Sequence, residues 1–496
     1  MLKLLQKSYH GKVKMIYIDP PYNTGKDFVY PDKFHDSLAN YKQITGQVDG
    51  DGNRVSTNSE SSGRYHTDWL NMMYPRLTLA RNLLRDDGVI FISIDDNEVA
   101  NSRKMCDEIF EESNFIANFI VVRSEGGGLA KQAVIGHDYL LCYSKNNINF
   151  IPLKKPKDIR GKVVIINNEE YWIEDDWLRK EFGKYGTCPY NEIEKYYDFN
   201  KKITIDKGIE EGKYQLIEKN GVILVGRLRK ISEDGSKFYT IMKHLNKNGV
   251  KDLQELDLET IFDFPKPVSL LFSIIQGSTF SSSINEDIIL DFNSGSATTA
   301  HAVMQLNSED GGNRKFILVQ LPEPCDESSE AFKAGYKNIC EIGKERIRRA
   351  GKKILEERSL GNAQGDKKSI VISTEAEKST LLKEEMKDVS TTLDMTPNGV
   401  VQGDNNNDMT KKLDIGFKVL KLDSSNIKEW DPLCHEDLEN QLLFSVDNIK
   451  QERTAEDVLY EIFIKYGLEL TVPWRVEKSG EKHFFVVGAG NLIVCL

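Results

Sequence analysis

Residues 16–25 read IYIDPPYNTG, and this stretch decides the fold of the 496-residue chain. It completes the run VKMIYI (Val13–Ile18), which is short, apolar and rich in branched and aromatic residues. Such a run is typical of a strand buried in a parallel sheet. At Asp19 the run gives way to a carboxylate, two prolines, Tyr22 and Asn23. The pattern predicts a buried strand whose carboxyl end presents polar and aromatic groups.

A helix and a second strand follow along the chain. The segment from His66 carries apolar residues at helical spacing, and we expect this helix to stop at Gly88. Val89–Ile94 predicts a second buried strand, which ends at Asp95. Strand, helix and strand in this order predict a parallel α/β sheet. Its ligands should bind beyond the carboxyl ends of the strands, where Asp19 and Asp95 lie.

The same pattern returns late in the chain. A predicted strand, Asp287–Phe292, runs into the small-residue loop NSGSATTA (293–300), a helix and another predicted strand, Lys315–Leu321. Small side chains let backbone N–H groups and a helix N-terminus approach a nucleotide-type cofactor. A tight strand-to-helix turn without a ligand is an equally good interpretation of the loop alone. No G-K-[ST] follows, which excludes a P-loop, and the loop by itself would also fit a dinucleotide-dependent oxidoreductase.

Composition narrows the class of protein. The chain is 39% hydrophobic and 29% charged, with no apolar run of about 18 residues and no signal peptide, so we expect a cytoplasmic protein without a membrane span. Its seven cysteines are scattered, which argues against a disulfide framework and a zinc site, and we expect no metal. The net charge is -11, but residues 151–250 carry 20 Lys and Arg against 16 Asp and Glu, a balance of +4.

The middle of the chain differs from its flanks. Residues 147–260 contain short β-prone runs, basic turns and interspersed aromatic residues such as Trp172 and Trp177. This mixture suits a surface that grips a phosphate backbone, although solvated faces alone also explain the charge. The polar loop Gln43–Tyr65 suggests a lid, and the tail begins with the strand-like FKVLKL (Phe417–Leu422). The predicted divisions are a first catalytic half (1–146), an insert (147–260), a cofactor-binding half (261–358), a linker (359–412) and an interaction domain (413–496).

The chemistry of Asp-Pro-Pro-Tyr points to an amine. The carboxylate of Asp19 and the carbonyl of Pro20, whose φ is fixed, form two adjacent acceptors for an NH2 group. Tyr22 supplies a flat face on which an aromatic ring stacks. Accepting both N–H bonds of a nucleobase amine frees its lone pair for attack, without a metal or a covalent intermediate. A base in duplex DNA reaches such a site only when it is flipped out, at a cost of roughly a few kcal/mol.

These motifs carry a family resemblance. DPPY followed by NTG, the FPKP helix start from Phe264 and the loop DFNSGSATTA from Asp291 resemble the amino-methyltransferases of DNA, in the motif order of their β group. SGRYHTDWLNMMYPRL, EDGGNRKFILVQLPEP and GKERIRRAG resemble the modification subunit of type III restriction-modification systems. The resemblance covers essentially the whole chain. It implies an α/β fold with a Rossmann-like methyltransferase sheet in permuted motif order, an inserted target-recognition domain and a small C-terminal α/β domain.

The resemblance also implies an activity, its residues and its partners. S-adenosylmethionine would be the methyl donor, and the N6 amine of adenine in double-stranded DNA the acceptor. The tetrad Asp19, Pro20, Pro21 and Tyr22 would be catalytic, with Phe28 opposite Tyr22 on the flipped base. A restriction subunit and a second copy of the chain would be partners. The implied cofactor-binding residues are Asp291, Phe292, Ser294, Gly295, Ser296, Thr298, Lys266, Pro267 and Glu323.

A second hypothesis stays open. Family members carry a further segment before the strand that leads to the tetrad, and Asn293 stands where they prefer an aromatic or small apolar residue. The alternative is therefore a truncated, non-catalytic DNA-binding or assembly subunit of the same system.

Overall fold

The structure, a computed structural model, describes residues 1–24, 65–126, 133–365, 413–428 and 449–495, apart from positions 158, 160, 168, 181–185, 232, 281, 283–285 and 481. Only the backbone is described for Tyr65 and residues 360–365. Phe28 and the predicted lid, up to residue 64, lie outside these ranges.

Strands and helices are numbered here in chain order over the described residues. The strands are β1 (Val13–Ile18), β2 (Leu84–Ile94), β3 (Phe115–Val122), β4 (His137–Ser144), β5 (Lys154–Pro156), β6 (Val163–Ile166), β7 (Glu169–Glu174), β8 (Tyr214–Lys219), β9 (Val222–Lys230), β10 (Gly235–Lys237), β11 (Ile241–Lys243), β12 (Ile288–Asp291), β13 (Lys315–Leu318), β14 (Trp474–Ser479), β15 (Lys482–Val487) and β16 (Leu492–Val494). The α-helices are α1 (Leu2–Tyr9), α2 (Tyr65–Leu83), α3 (Val99–Cys106), α4 (Ile193–Tyr196), α5 (Phe199–Glu210), α6 (Asn246–Gln254), α7 (Val268–Thr279), α8 (Thr298–Asp310), α9 (Glu330–Lys333), α10 (Ile339–Gly365) and α11 (Ala455–Tyr466).

A seven-stranded sheet forms the centre of the molecule, in the order β11-β3-β4-β2-β1-β12-β13. β1 pairs in parallel with β2 on one side and β12 on the other, which confirms the predicted parallel sheet. β4 is antiparallel to both β2 and β3, so the sheet is mixed. The strand before the tetrad and the strand before the small-residue loop are therefore direct neighbours, although residues 19–287 separate them in the sequence.

Apolar side chains cover both faces of this sheet. On one face, Trp69 and Leu77 of α2 pack into a core that includes Ile16 and Ile18 of β1. On the other face, α7 and α8 enclose a second core around Met15 and Tyr17 of β1, to which Leu271 of α7 contributes. Successive side chains of a strand point to opposite faces, which is why both faces of β1 require apolar residues.

The junction between α2 and β2 differs from the prediction. The helix ends at Leu83 rather than at Gly88, and β2 already begins at Leu84. A register shift relative to β1 takes up the extra residues, and the buried Lys14 holds Asp87 there at 2.8 Å. A Cβ on Gly88 would lie 2.8 Å from the carbonyl oxygen of Arg85, so this glycine permits close approach of the backbone rather than ending the helix.

The middle of the chain forms a second sheet, in the order β6-β7-β9-β8. Trp172 is buried and donates to Asp234 at 2.7 Å, and Trp177 stacks on Tyr214 with ring centroids 5.1 Å apart. Both indoles therefore make contacts within the insert. Trp172 is buried and unavailable to a phosphate backbone, whereas Trp177 is half-buried, so a phosphate-binding surface on the insert stays a prediction. β11 leaves this region and pairs with β3 at the edge of the central sheet.

The tail packs α11 against the antiparallel sheet β14-β15-β16. The backbone N–H of Leu470 donates to the Tyr9 hydroxyl at 2.9 Å, and Lys12 pairs with Glu469 at 2.8 Å, so the tail contacts α1. The strand expected over Phe417–Leu422 is wrong, because that segment has no strand partner among the described residues. No helix in the described ranges is long and apolar enough to span a membrane.

Candidate active site

The tetrad lies at the carboxyl end of β1, in the middle of the central sheet. Tyr17 of β1 is in register with Asp291, the last residue of β12. Asp19 follows β1 by one residue and keeps 28% of its side chain exposed. Parallel pairing thus brings the tetrad and the small-residue loop to the same edge of the sheet, as the sequence predicted.

Two separate elements hold the chain on either side of Tyr22. The fully buried Trp69 of α2 donates its indole N–H to the Pro21 carbonyl at 2.7 Å. Asn23, at a φ of 59°, donates its side-chain amide to Glu98 at 2.6 Å. Among the described residues no hydrogen bond is made to the Pro20 carbonyl. The carbonyl that remains available is therefore the one that the sequence predicted as an acceptor.

Lys266 lies against the tetrad. Its ammonium donates to the Tyr22 hydroxyl at 2.5 Å and lies 3.2 Å from Oδ1 of Asp19 and 3.6 Å from Oδ2 of Asp138. The family resemblance puts Lys266 beside the amino-acid end of the cofactor; in the structure its ammonium joins two carboxylates and a phenol. Burial raises the pKa of Asp19, and the neighbouring ammonium opposes that rise by favouring the ionised carboxylate.

Asp138 is a site residue that the sequence analysis missed. It is 5% exposed and also accepts from Arg123 at 3.1 Å. Because β4 runs antiparallel to β2, its amino end, and not its carboxyl end, lies at the edge that carries Asp19. The sequence analysis did not predict the direction of β4. β3 and β4 pair antiparallel, and this pairing turns the amino end of β4 toward the edge that carries Asp19.

The small-residue loop joins β12 to α8 through two left-handed residues, Gly295 at a φ of 48° and Ala297 at 63°. The N–H of Gly295 donates to the side chain of Gln320 at 2.8 Å, and that of Ala297 to the Ser294 carbonyl at 2.7 Å. This turn starts α8 at Thr298, whose hydroxyl donates to the carbonyl of Lys266, the residue that contacts Tyr22. Ser296 is buried within it.

Asp291 and Phe292 form the buried base of this loop. Burial raises the pKa of Asp291 to about 7, although the hydroxyl of Thr299 at 2.5 Å and the N–H of Asn293 at 3.1 Å both favour its ionised form. A buried carboxyl group with a raised pKa next to a helix start makes Asp291 a candidate for ligand binding.

Arg346 of α10 supports the loop from behind. It is fully buried, and one nitrogen donates to the hydroxyls of both Ser296 and Thr298 at 2.7 Å. Thr298 in turn donates to the Lys266 carbonyl at 3.4 Å. Burial lowers the pKa of Arg346 to about 10, while the nearby Asp252 opposes that change. Sequence periodicity marks Arg346 only as a helical residue.

The other predicted cofactor residues lie around the same edge. Pro267 caps the start of α7, directly after Lys266. Glu323 follows β13 and accepts from Gln320 at 3.4 Å, which links it to the small-residue loop. Within the described ranges no group of three or more His, Cys, Asp or Glu side chains is arranged to hold a metal ion.

Comparison with known proteins matches this chain to the family described as DNA methylase, over residues 13–353. The Mod subunit of the type III restriction-modification enzyme StyLTI of Salmonella typhimurium is 37% identical over 379 residues, which are 71% of this chain and 56% of that subunit. The EcoPI Mod subunit of Escherichia phage P1 is 30% identical over 410 residues, 71% of this chain and 61% of that subunit. The type II methyltransferase M.KpnI of Klebsiella pneumoniae is 31% identical over 379 residues, 69% of this chain and 83% of that enzyme. The chain thus spans about three fifths of the two Mod subunits.

Proposed function

This chain belongs to the DNA methylase family, and on that premise we propose that it transfers a methyl group from S-adenosylmethionine to the N6 amine of a flipped adenine in duplex DNA. The observation that carries the proposal is the pair of acceptors at the end of β1. The Asp19 carboxylate lies there beside a Pro20 carbonyl to which no described residue donates, because Trp69 binds the next carbonyl instead.

The residues of the tetrad act on the adenine. Asp19 and the Pro20 carbonyl each accept one N–H of the amine, which frees its lone pair for attack. Tyr22 stacks on the base, and stacking of about 1–3 kcal/mol per base offsets part of the cost of flipping. Lys266 donates to the Tyr22 hydroxyl, and its positive charge favours the ionised form of Asp19. As the amine takes the methyl group, the proton that it loses would pass by way of Asp19 to solvent.

The residues around the small-residue loop fit the cofactor. The small residues glycine and serine leave room for backbone contacts, and α8 offers its amino end. Asp291 and Glu323 are acceptors for amine or hydroxyl groups. S-adenosylmethionine supplies an electrophilic methyl group on its sulfonium. Pro267, Phe292, Ser294, Ser296 and Thr298 would line its site, with Arg346 holding two of them.

The remaining regions have proposed roles in recognition and assembly. Residues 147–260 would read the target sequence, and 413–496 would contact a restriction subunit or a second copy of the chain in the cytoplasm. Arg227 and Arg229 of β9 already pair with Glu174 within the insert. We therefore expect readout to use other side chains of the insert.

Transfer of labelled methyl groups from S-adenosylmethionine to duplex DNA tests the proposal. We expect incorporation by the wild-type chain, loss of at least about 100-fold with Asp19→Ala, and normal incorporation with the exposed control Asp86→Ala. Sequencing of the product for modified adenines identifies the base and the site. DNA binding without incorporation by the wild-type chain would instead establish the alternative, a non-catalytic DNA-binding or assembly subunit.

A further inference from the structure

Glu98 is a buried carboxylate for which the proposed mechanism has no use. Its side chain is 0% exposed, and it lies one residue before α3. Oε1 accepts from Asn23 at 2.6 Å and from His66 at 2.7 Å, while Oε2 accepts from Asn101 at 2.8 Å. Two distant parts of the chain, around Asn23 and His66, therefore converge on one carboxylate.

Burial of the Glu98 carboxylate is unfavourable in free energy. Moving a carboxylate out of water costs several kcal/mol unless charge and hydrogen bonds compensate. Among the described residues, His66 is the one basic side chain within 4 Å of Glu98, and it is itself 54% exposed. An apolar side chain would fill the same space at lower cost, but it could not accept the hydrogen bonds from Asn23 and His66.

Glu98 holds Asn23, the residue directly after the tetrad. Asn23 has a φ of 59°, a conformation that is unfavourable for residues other than glycine and less so for asparagine. Its bond to Glu98 stabilises this turn. Trp69 fixes the Pro21 carbonyl on the other side, so the chain is held immediately before and immediately after Tyr22.

We propose that Glu98 is a positioning residue that, through Asn23, sets the orientation of Tyr22 for stacking on the flipped base. This inference rests on the proposed function. Glu98 is 0% exposed, so it would act through the Asn23 contact on the backbone that carries the Tyr22 ring. Loss of the carboxylate should therefore impair the base-handling step and leave cofactor binding unchanged.

Hydrogen exchange provides a test that needs no activity. In the full chain without DNA, the indole N–H of Trp69, which donates to the Pro21 carbonyl, should exchange at least about 10-fold faster in Glu98→Ala than in wild type, because the chain beside it is held less firmly. Glu98→Gln should behave like wild type, because its amide oxygen still accepts from Asn23 and its NH2 can pair with a reoriented Asn101. The control Glu108→Ala removes an exposed carboxylate from the same segment of chain.

Methyl transfer provides the functional half of the test. We expect Glu98→Ala to lower single-turnover transfer about 100-fold, as for a misplacement of about 1 Å, with the dissociation constant for S-adenosylmethionine unchanged within twofold. Asn23→Gly keeps the left-handed turn but removes the contact, so it should show the same defect even if Glu98→Ala does not fold.

The outcomes separate the two proposals. Faster exchange in the Glu98→Ala or Asn23→Gly variants, combined with an inactive wild type, would retain the positioning role and reject the methyltransferase. Wild-type exchange and wild-type transfer in Asn23→Gly would overturn the positioning role and retain the enzyme.

Discussion

The ammonium of Lys266 lies 3.2 Å from Oδ1 of Asp19. Lys266 directly precedes the cap of α7, and Asp19 directly follows β1, so the contact joins two segments that are far apart in the sequence. Burial raises the pKa of Asp19, whereas Lys266 lowers it. The lysine therefore influences how far the pH can fall before Asp19 is protonated and can no longer accept its N–H of the adenine amine.

Lys266→Met should move the acidic limb of the pH profile of kcat/KM for DNA to higher pH. The sign follows from the charge, because removal of a cation makes the Asp19 carboxylate easier to protonate. Methyl transfer measured between pH 5 and 8 gives the profile. Lys243→Met, which removes an exposed lysine paired with Glu125, is the control and should keep the wild-type limb. An unshifted limb in Lys266→Met would show that Asp19 does not set it.

Trp69→Phe should loosen the backbone of the tetrad without changing any residue of the tetrad. The substitution deprives the Pro21 carbonyl of its donor, which costs about 1 kcal/mol of stability. We expect methyl transfer to fall at least about 10-fold, since small displacements of reacting groups are expensive. Trp474→Phe, in the tail, is the matched control in both the unfolding and the transfer assays. Equal activity of the two variants would contradict the role of the Trp69 bond.

Asp291→Asn should change the pH dependence of stability. Burial raises the pKa of Asp291 in the folded chain to about 7, above its usual value of about 4, so the folded state binds this proton more tightly than the unfolded state. Stability should therefore fall as the pH rises from about 4 to 7, by up to about 1.4 kcal/mol per pH unit from this group. Asparagine removes that contribution. The free energy of unfolding, measured with guanidinium at pH 5, 6 and 7, should fall less steeply with pH in Asp291→Asn than in wild type. In Asp86→Asn it should fall as steeply as in wild type.

Arg346→Met should weaken cofactor binding and leave the free energy of unfolding nearly unchanged. The variant loses the donors to Ser296 and Thr298, but it also removes a fully buried guanidinium. Two of its buried nitrogens, Nε and Nη2, have no hydrogen-bond partner among the described residues, so removing the guanidinium also removes a desolvation cost. We therefore expect the free energy of unfolding to change by about 1 kcal/mol or less. Calorimetry should show affinity for S-adenosylmethionine about 10-fold weaker, the equivalent of roughly 1.4 kcal/mol. Arg348→Met, on the exposed side of the same helix, should bind like wild type.

Much of the site was readable from the sequence, because its motifs are local. A strand that ends in DPPY and a strand that ends in a small-residue loop each carry their own signal, and parallel pairing then puts both ends at one edge. The same reasoning failed at Gly88. Apolar periodicity predicted a helix up to this residue, but residues 84–88 belong to β2, where its register shifts relative to β1. It also failed for Trp172, whose indole serves the core of the insert.

The sequence by itself determined the order of the motifs, the α/β class and the acceptors at the end of β1, since each depends on residues adjacent in the chain. Only the tertiary structure decided which residues support them. Asp138 reaches the site because β4 is antiparallel, and Trp69, Glu98 and Arg346 reach it because α2, α3 and α10 pack where they do. Those contacts depend on long-range packing and on hydrogen bonds between distant segments, and no local spacing in the sequence encodes them.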